Sequence, residues 1–192
     1  MKVLLFLANG AEMIELSAFI DVFGWDRHYN NGNIDIVTCG FSKEIKSTFN
    51  IPIRVDVLID QIKIYNYDAL AIPGGFADYG FYEEAYNEKF LSLIRKFKNH
   101  DKPIASICVG ALPLGKSGIL KGKRGTTYHL MGGRRQRQLK EFGVKIENEP
   151  VIVEDNIITS WCPSAAVEVA LKLLEILRSR SDSDKIRELM GF

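Results

Sequence analysis

Residues 102–120 read KPIASICVGALPLGKSGIL, and one cysteine stands where the pattern changes. Pro103 to Cys108 is a short apolar run with no polar alternation, as a strand buried on both faces requires. From Val109 to Ser117 the apolar spacing becomes helical. Cys108 is flanked by Ser106 two residues before and Gly110 two after, the small-x-nucleophile-x-small pattern of a strand-to-helix nucleophile elbow. The pattern has a steric origin. A nucleophile on so sharp a turn has strained backbone angles, and the chain passes so close to itself that only small side chains fit on either side. A thiol before a helix N-terminus is also expected to ionise readily, because partial positive charge and free N–H groups gather there. Cysteine is equally at home as an inert filler at a strand end, so this stretch alone leaves both readings open.

Working outward, four further apolar runs read as strands: residues 2–8, 34–40, 68–74 and 156–161. Helical patterns lie between and after them, at Glu12–Tyr29, Asn87–Asn99, Val109–Ser117, Arg134–Phe142 and Ser164–Arg178. This alternation predicts an α/β fold with a mostly parallel sheet and helices on both faces. Two segments break the rhythm. The run IPIRVDV at 51–57 is expected to pair as an edge hairpin, and 143–161 reads as strand, turn, strand with EDN as the turn; both predict antiparallel additions. Ligands of such sheets bind at the carboxyl ends of the strands, which directs attention to Asn9–Glu15, Pro73–Tyr79, Cys108–Gly110 and Gly125–His129.

At 192 residues the chain has length for one domain, expected over 1–178, with 179–192 as a polar, loosely held C-terminal tail. Twenty-five Lys plus Arg against 24 Asp plus Glu argue against nucleic acid as a partner. The apolar run at the start, Val3–Leu7, is too short for a signal peptide, and nothing approaches the ~20 apolar residues of a membrane span. Three widely spaced cysteines, with no CxxC and no histidine at ligand spacing, predict neither disulfides nor a metal site and suit a reducing cytoplasm.

The first loop, ANGAEMIEL, carries Glu12 and Glu15 where a phosphate cradle would have glycines and hydroxyls, so a phosphate site is not expected. Glu12 reads as an acid complementing the helix dipole, whereas Glu15 is placed to hydrogen-bond a neighbouring thiol and move its proton. In IPGGF the pair Gly74-Gly75 can expose backbone N–H groups. Gly75 and Val109, the residue after the cysteine, are candidate oxyanion donors, although a tight turn explains the glycines as well. Of the histidines, His28 and His100 read as surface groups, and only His129 in GTTYHLMGG falls near the expected cleft. Cys39 reads as filler, and Cys162, in SWCPSA at a strand-to-helix junction, is not taken as a site residue.

Four blocks occurring in order, ANGAEMIE, YDALAIPGG, KPIASICVGALPLGKSGILKGKRGTTY and IVEDNIITSWCPSAAVEVALKLLEIL, resemble the ThiJ/PfpI superfamily of the parkinsonism-protein type over about residues 1–178. The resemblance implies a flavodoxin-like three-layer sandwich related to class I glutamine amidotransferases, and a homodimer. It also implies a reactive elbow cysteine hydrogen-bonded to a protonated glutamate. On this sequence these are Cys108 and Glu15, with the glycine pair at Gly74 and Gly75 and the backbone donors on Gly75 and Val109. Two features depart from the family pattern. Val109 stands where the family's peptidases have histidine, which disfavours a Cys-His dyad. Tyr128 stands where many members have histidine after TT, with His129 next, so which of the two faces Cys108 is open. The resemblance to ligand-sensing domains of regulators is set aside for want of a DNA-binding extension.

The expected function is a cofactor-independent enzyme in which Cys108 attacks a small electrophile, a reactive carbonyl, in glyoxalase- or deglycase-like chemistry. The alternatives are an oxidative-stress sensor or chaperone acting through Cys108 oxidation, and an amidase or isonitrile hydratase.

Overall fold

The computed structural model describes all 192 residues. The run that opens the chain forms β1 (Lys2–Phe6), and every residue from Val3 to Ala8 is fully buried. α1 (Met13–Tyr29) follows, then β2 (Asp35–Gly40). The second helix-like stretch gives a short α2 (Phe81–Ala85) and then α3 (Glu88–Asn99), capped by the Asn87 side chain on the Lys89 N–H.

The predicted edge hairpin is only partly found. β3 (Glu44–Lys46) and β4 (Pro52–Arg54) pair antiparallel, but as a separate two-stranded sheet. The main sheet's edge is instead β5 (Val57–Leu58), which pairs parallel with β2 through Cys39 and Gly40. Asp56 divides the run: its carboxylate accepts from both the N–H and the hydroxyl of Thr38, so the chain turns there rather than continuing straight.

β6 (Ala69–Ile72) and β7 (Ile104–Ser106) complete the centre, followed by α4 (Ala111–Ser117) and α5 (Arg134–Glu141). β8 (Arg124–Gly125) and β9 (Lys145–Ile146) form a second small pair, here parallel. β10 (Val151–Glu154) and β11 (Ile157–Ser160) are the expected hairpin, with Asp155 at φ +55° in its turn, a conformation Asp tolerates. The seven-stranded order is β10-β11-β7-β6-β1-β2-β5, parallel throughout except for β10. α6 (Ala166–Leu177) packs with α1, while α4 packs with α3 and α5, giving the layers of a flavodoxin-like sandwich around one cluster of 49 buried apolar residues. No helix is long and apolar enough to cross a membrane.

The C-terminal residues differ from the loosely held tail expected of their composition. Arg180–Met190 is a helix, α7, capped by Ser179 on the Asp182 N–H and packed on α1 and α6. Its inward stripe is narrow, which is why the sequence looks merely polar: Ile186 is fully buried, and buried Ser183 donates to the Leu171 carbonyl at 2.8 Å. Arg178 anchors the junction, donating to fully buried Asp26 at 2.6 Å and lying 3.2 Å from Asp182. Removing it leaves the Asp26 charge without its counter-ion. Arg178→Ala is therefore expected to destabilise the fold by about 2–3 kcal/mol, near the lower end for a broken buried pair because the guanidinium is partly exposed. Urea unfolding checks this, and an unshifted midpoint contradicts it.

Candidate active site

β7 ends at Ser106, whose hydroxyl donates to the Ile158 carbonyl at 3.1 Å, and two residues later Cys108 adopts φ +54°. A non-glycine residue there is strained, as the elbow reading requires. The same geometry explains the small neighbour after it. A Cβ on Gly110 would sit 2.6 Å from the Ile72 carbonyl oxygen, inside contact distance of fixed backbone. Gly110→Ala is expected to cost about 1–3 kcal/mol through this overlap. Thermal unfolding checks it, and a melting temperature within a degree of wild type contradicts it.

Glu15, in the first turn of α1, is almost completely buried. Burial raises its pKa to about 8, against the opposing pull of the Gly74 N–H and of a hydrogen bond with the Cys108 thiol; the nearby Glu12 charge adds to the rise. Gly74 donates its N–H to Glu15 Oε2, and a Cβ at Gly74 would approach that oxygen to 2.9 Å. Glu15 thus holds a proton at neutral pH. Glu12 is buried as well, and its backbone N–H is used on the Gly74 carbonyl at 2.9 Å.

The expected lowering of the Cys108 pKa by a helix N-terminus is not what the structure shows. Burial and then the charge of an ionised Glu15 push the thiol well up, and the Val109 N–H directed at the sulfur opposes them. Cys108–Gly110 forms a tight 3-10 turn, and the seven-residue α4 starts only at Ala111, so one N–H rather than a whole helix end serves the sulfur. The sulfur and the carboxyl therefore act as a pair. A thiolate is favoured only while Glu15 carries the proton, because an ionised Glu15 repels it.

Val109, the candidate oxyanion donor, directs its N–H at the Cys108 sulfur. Gly75 pins the two loops together through a bridge to Ala11: Phe76 N–H donates to Gly10 O at 3.0 Å, and a Cβ at Gly75 would sit 2.3 Å from that oxygen. Its own N–H has no acceptor within the chain.

At positions 128 and 129 the two side chains have different surroundings. Tyr128 feels the charge of both Cys108 and Cys162, after burial as the main cause of its raised pKa. His129 turns to Cys162, with Nδ1 3.4 Å from its sulfur, and its ring packs at 4.4 Å on Trp161. Cys162, given no role from sequence, therefore borders the same site. Its signal was its position just past the carboxyl end of the strand next to β7.

Two further residues were not singled out individually. Thr127 donates its hydroxyl to the Cys108 carbonyl at 2.8 Å, steadying the strained turn. Tyr82 in α2 lies near enough for Cys108 to raise its pKa further, behind burial as the main cause. Its buried hydroxyl has no hydrogen-bond partner, and the Arg135 guanidinium sits 4.6 Å above its ring. A surface groove of about 880 Å³ lies elsewhere, between Ile59–Tyr65 and α3, and holds none of these groups.

Comparison with known proteins agrees with the fold. The family model for the DJ-1/PfpI family matches residues 1–176. The chain is 31% identical over 175 residues to Protein DJ-1 homolog B of Arabidopsis thaliana, covering 91% of this chain and 37% of that protein. With homolog A of the same plant it shares 29% identity and covers 42% of that protein, so the chain spans well under half the length of either plant relative. It is 31% identical over 165 residues to a deglycase of Pyrococcus horikoshii, covering 85% of this chain and 92% of the other. The structure of Schizosaccharomyces pombe DJ-1 superposes with a TM-score of 0.84 at 27% identity, over the whole of both chains. The chain belongs to the DJ-1/PfpI family.

Proposed function

We propose that the protein is a cofactor-independent enzyme that consumes small reactive carbonyls, α-oxoaldehydes in particular, through a hemithioacetal on Cys108. The observation that carries this reading is the pairing of a strained, buried thiol with a carboxyl that keeps its proton to about pH 8. Within the singly deprotonated pair, the form with thiolate on Cys108 and acid on Glu15, reached by proton transfer between the two, is a nucleophile beside a proton donor.

The thiolate adds to the aldehyde carbon, forming the S–C bond as the carbonyl electron pair moves onto oxygen. That oxygen takes the Glu15 proton, and the Val109 and Gly75 N–H groups are the donors assigned to its developing charge. Glu15, now ionised, removes the hydrogen from the former aldehyde carbon and returns it to the neighbouring carbon, while the hemithioacetal hydroxyl proton passes to the neighbouring carbonyl oxygen. The resulting thioester is then hydrolysed by water to a 2-hydroxy acid, which frees the thiol. No redox partner is consumed, because one carbon is oxidised as its neighbour is reduced. That several relatives are named deglycases supports a substrate of the carbonyl class.

The test is consumption of methylglyoxal without added thiol, with the product identified by proton NMR. Turnover to lactate above the buffer rate is expected. Disappearance of methylglyoxal no faster than in buffer, at any pH between 6 and 9, overturns the reading.

A further inference from the structure

Cys162 is a buried nucleophilic group that the carbonyl reaction does not use. β11 and β7 are adjacent and parallel, with Ile157 opposite Ile104 and Ile158 opposite Ala105. Strands so paired lie about 4.8 Å apart, and Cys108 and Cys162 sit in the segments that leave their carboxyl ends, two residues past Ser106 and two past Ser160. The segment after β8 crosses both strand ends and fixes them to one another. The Thr126 N–H donates to the Thr159 hydroxyl at 3.0 Å, the Thr127 hydroxyl holds the Cys108 carbonyl, and His129 reaches the Cys162 sulfur. Each thiol keeps a small exposed area, 8% at Cys108 and 7% at Cys162, so a small oxidant can reach the elbow. The third cysteine, Cys39, is fully buried in β2 and separated from β7 by β1 and β6.

From this placement we propose that Cys162 is a resolving thiol: Cys108 reduces a hydroperoxide, and Cys162, with His129 as its base, closes a reversible Cys108–Cys162 disulfide. The Cys108 sulfur attacks the outer peroxide oxygen, the O–O bond breaks, and the leaving alkoxide or hydroxide is protonated to alcohol or water. Cys108 is then a sulfenic acid. His129 Nδ1 takes the Cys162 proton, the Cys162 sulfur attacks the Cys108 sulfur, and the S–O bond breaks with release of water. Two thiols are oxidised by two electrons and one hydroperoxide is reduced, so the step balances. The His129 backbone N–H, which favours the Cys162 thiolate, is already in place before oxidation. A thiol that reacts with its neighbour in this way is protected from the irreversible oxygen adducts of Cys108. The proposal stands apart from the carbonyl reaction and does not need it.

The experiment treats the reduced protein with one equivalent of hydrogen peroxide, quenches with excess alkylating reagent, and combines intact mass with peptide mapping. Wild type is expected to lose two hydrogens, to yield a linked peptide joining Cys108 to Cys162, and to return to the starting mass with dithiothreitol. Cys162→Ser is expected to add oxygens at Cys108 that the dithiol does not fully remove. His129→Gln is expected to close the disulfide at least ~10-fold more slowly. Oxygen adducts on wild-type Cys108 with Cys162 still fully alkylated overturn the proposal, as does a link that involves Cys39. The wild-type map decides the matter even where a variant fails to fold.

Discussion

Cys108→Ser is expected to lower methylglyoxal consumption by about 10³-fold or more, the scale on which losing a covalent nucleophile acts. A serine hydroxyl ionises far above the range in which Glu15 exchanges its proton, so the pair can no longer place a negative charge on the attacking atom. The fold is expected to survive, because the exchange removes little volume at a position the Thr127 hydroxyl still holds from the carbonyl side. Initial rates on the folded variant, with its circular dichroism matched to wild type, check this. Retention of wild-type turnover would mean that the thiol is not the nucleophile.

Glu15→Gln is expected to remove most of a pH-dependent loss of stability. In the unfolded chain Glu15 titrates near 4.5, and in the fold near 8, so the folded state binds this proton more tightly. Its contribution is fully present below about pH 4.5 and is lost as the pH rises through 8, with the unfolded chain already ionised across that window. The size is on the order of 4 kcal/mol between those limits. Glutamine stays neutral in both states, so the variant lacks this slope while every other titrating group still contributes its own. Urea midpoints for both proteins at pH 5 and pH 8 isolate the difference, since an ordinary thiol is largely protonated at both. Wild type is expected to lose stability relative to Glu15→Gln over this range. Parallel pH profiles would show that Glu15 titrates in the fold as it does in the unfolded chain.

Much of this arrangement was legible in the sequence, and the reasons are physical. Central strands such as Val3–Leu7 and Ala69–Ile72 are buried on both faces and so read as unbroken apolar runs. The elbow was visible because its sterics constrain residue size: Gly110 lies against the Ile72 carbonyl and tolerates no side chain. Glu15 was a candidate partner for a thiol from its place after the first strand, and the family resemblance named Cys108 as that thiol, since nothing local says that an acid in the first turn of a helix is buried.

What escaped the sequence depends on tertiary packing. The ionisation of Cys108 was expected to follow from a helix end, yet it is governed by burial and by a carboxyl 93 positions earlier in the chain. Cys162 and Tyr82 reach the site from β11 and α2. α7 escaped because Ser183 and Ile186 make too narrow an inward stripe to register among charged neighbours.

The account rests on Glu15 holding a proton at neutral pH beside Cys108. A ¹³C NMR titration of the glutamate side-chain carboxyls reads this directly, with the Glu15 signal assigned by its absence from Glu15→Gln. The account predicts a carboxyl resonance that stays in its protonated position through neutrality and moves at about pH 8. A Glu15 resonance that moves near pH 4.5, the ordinary glutamate value, would contradict it.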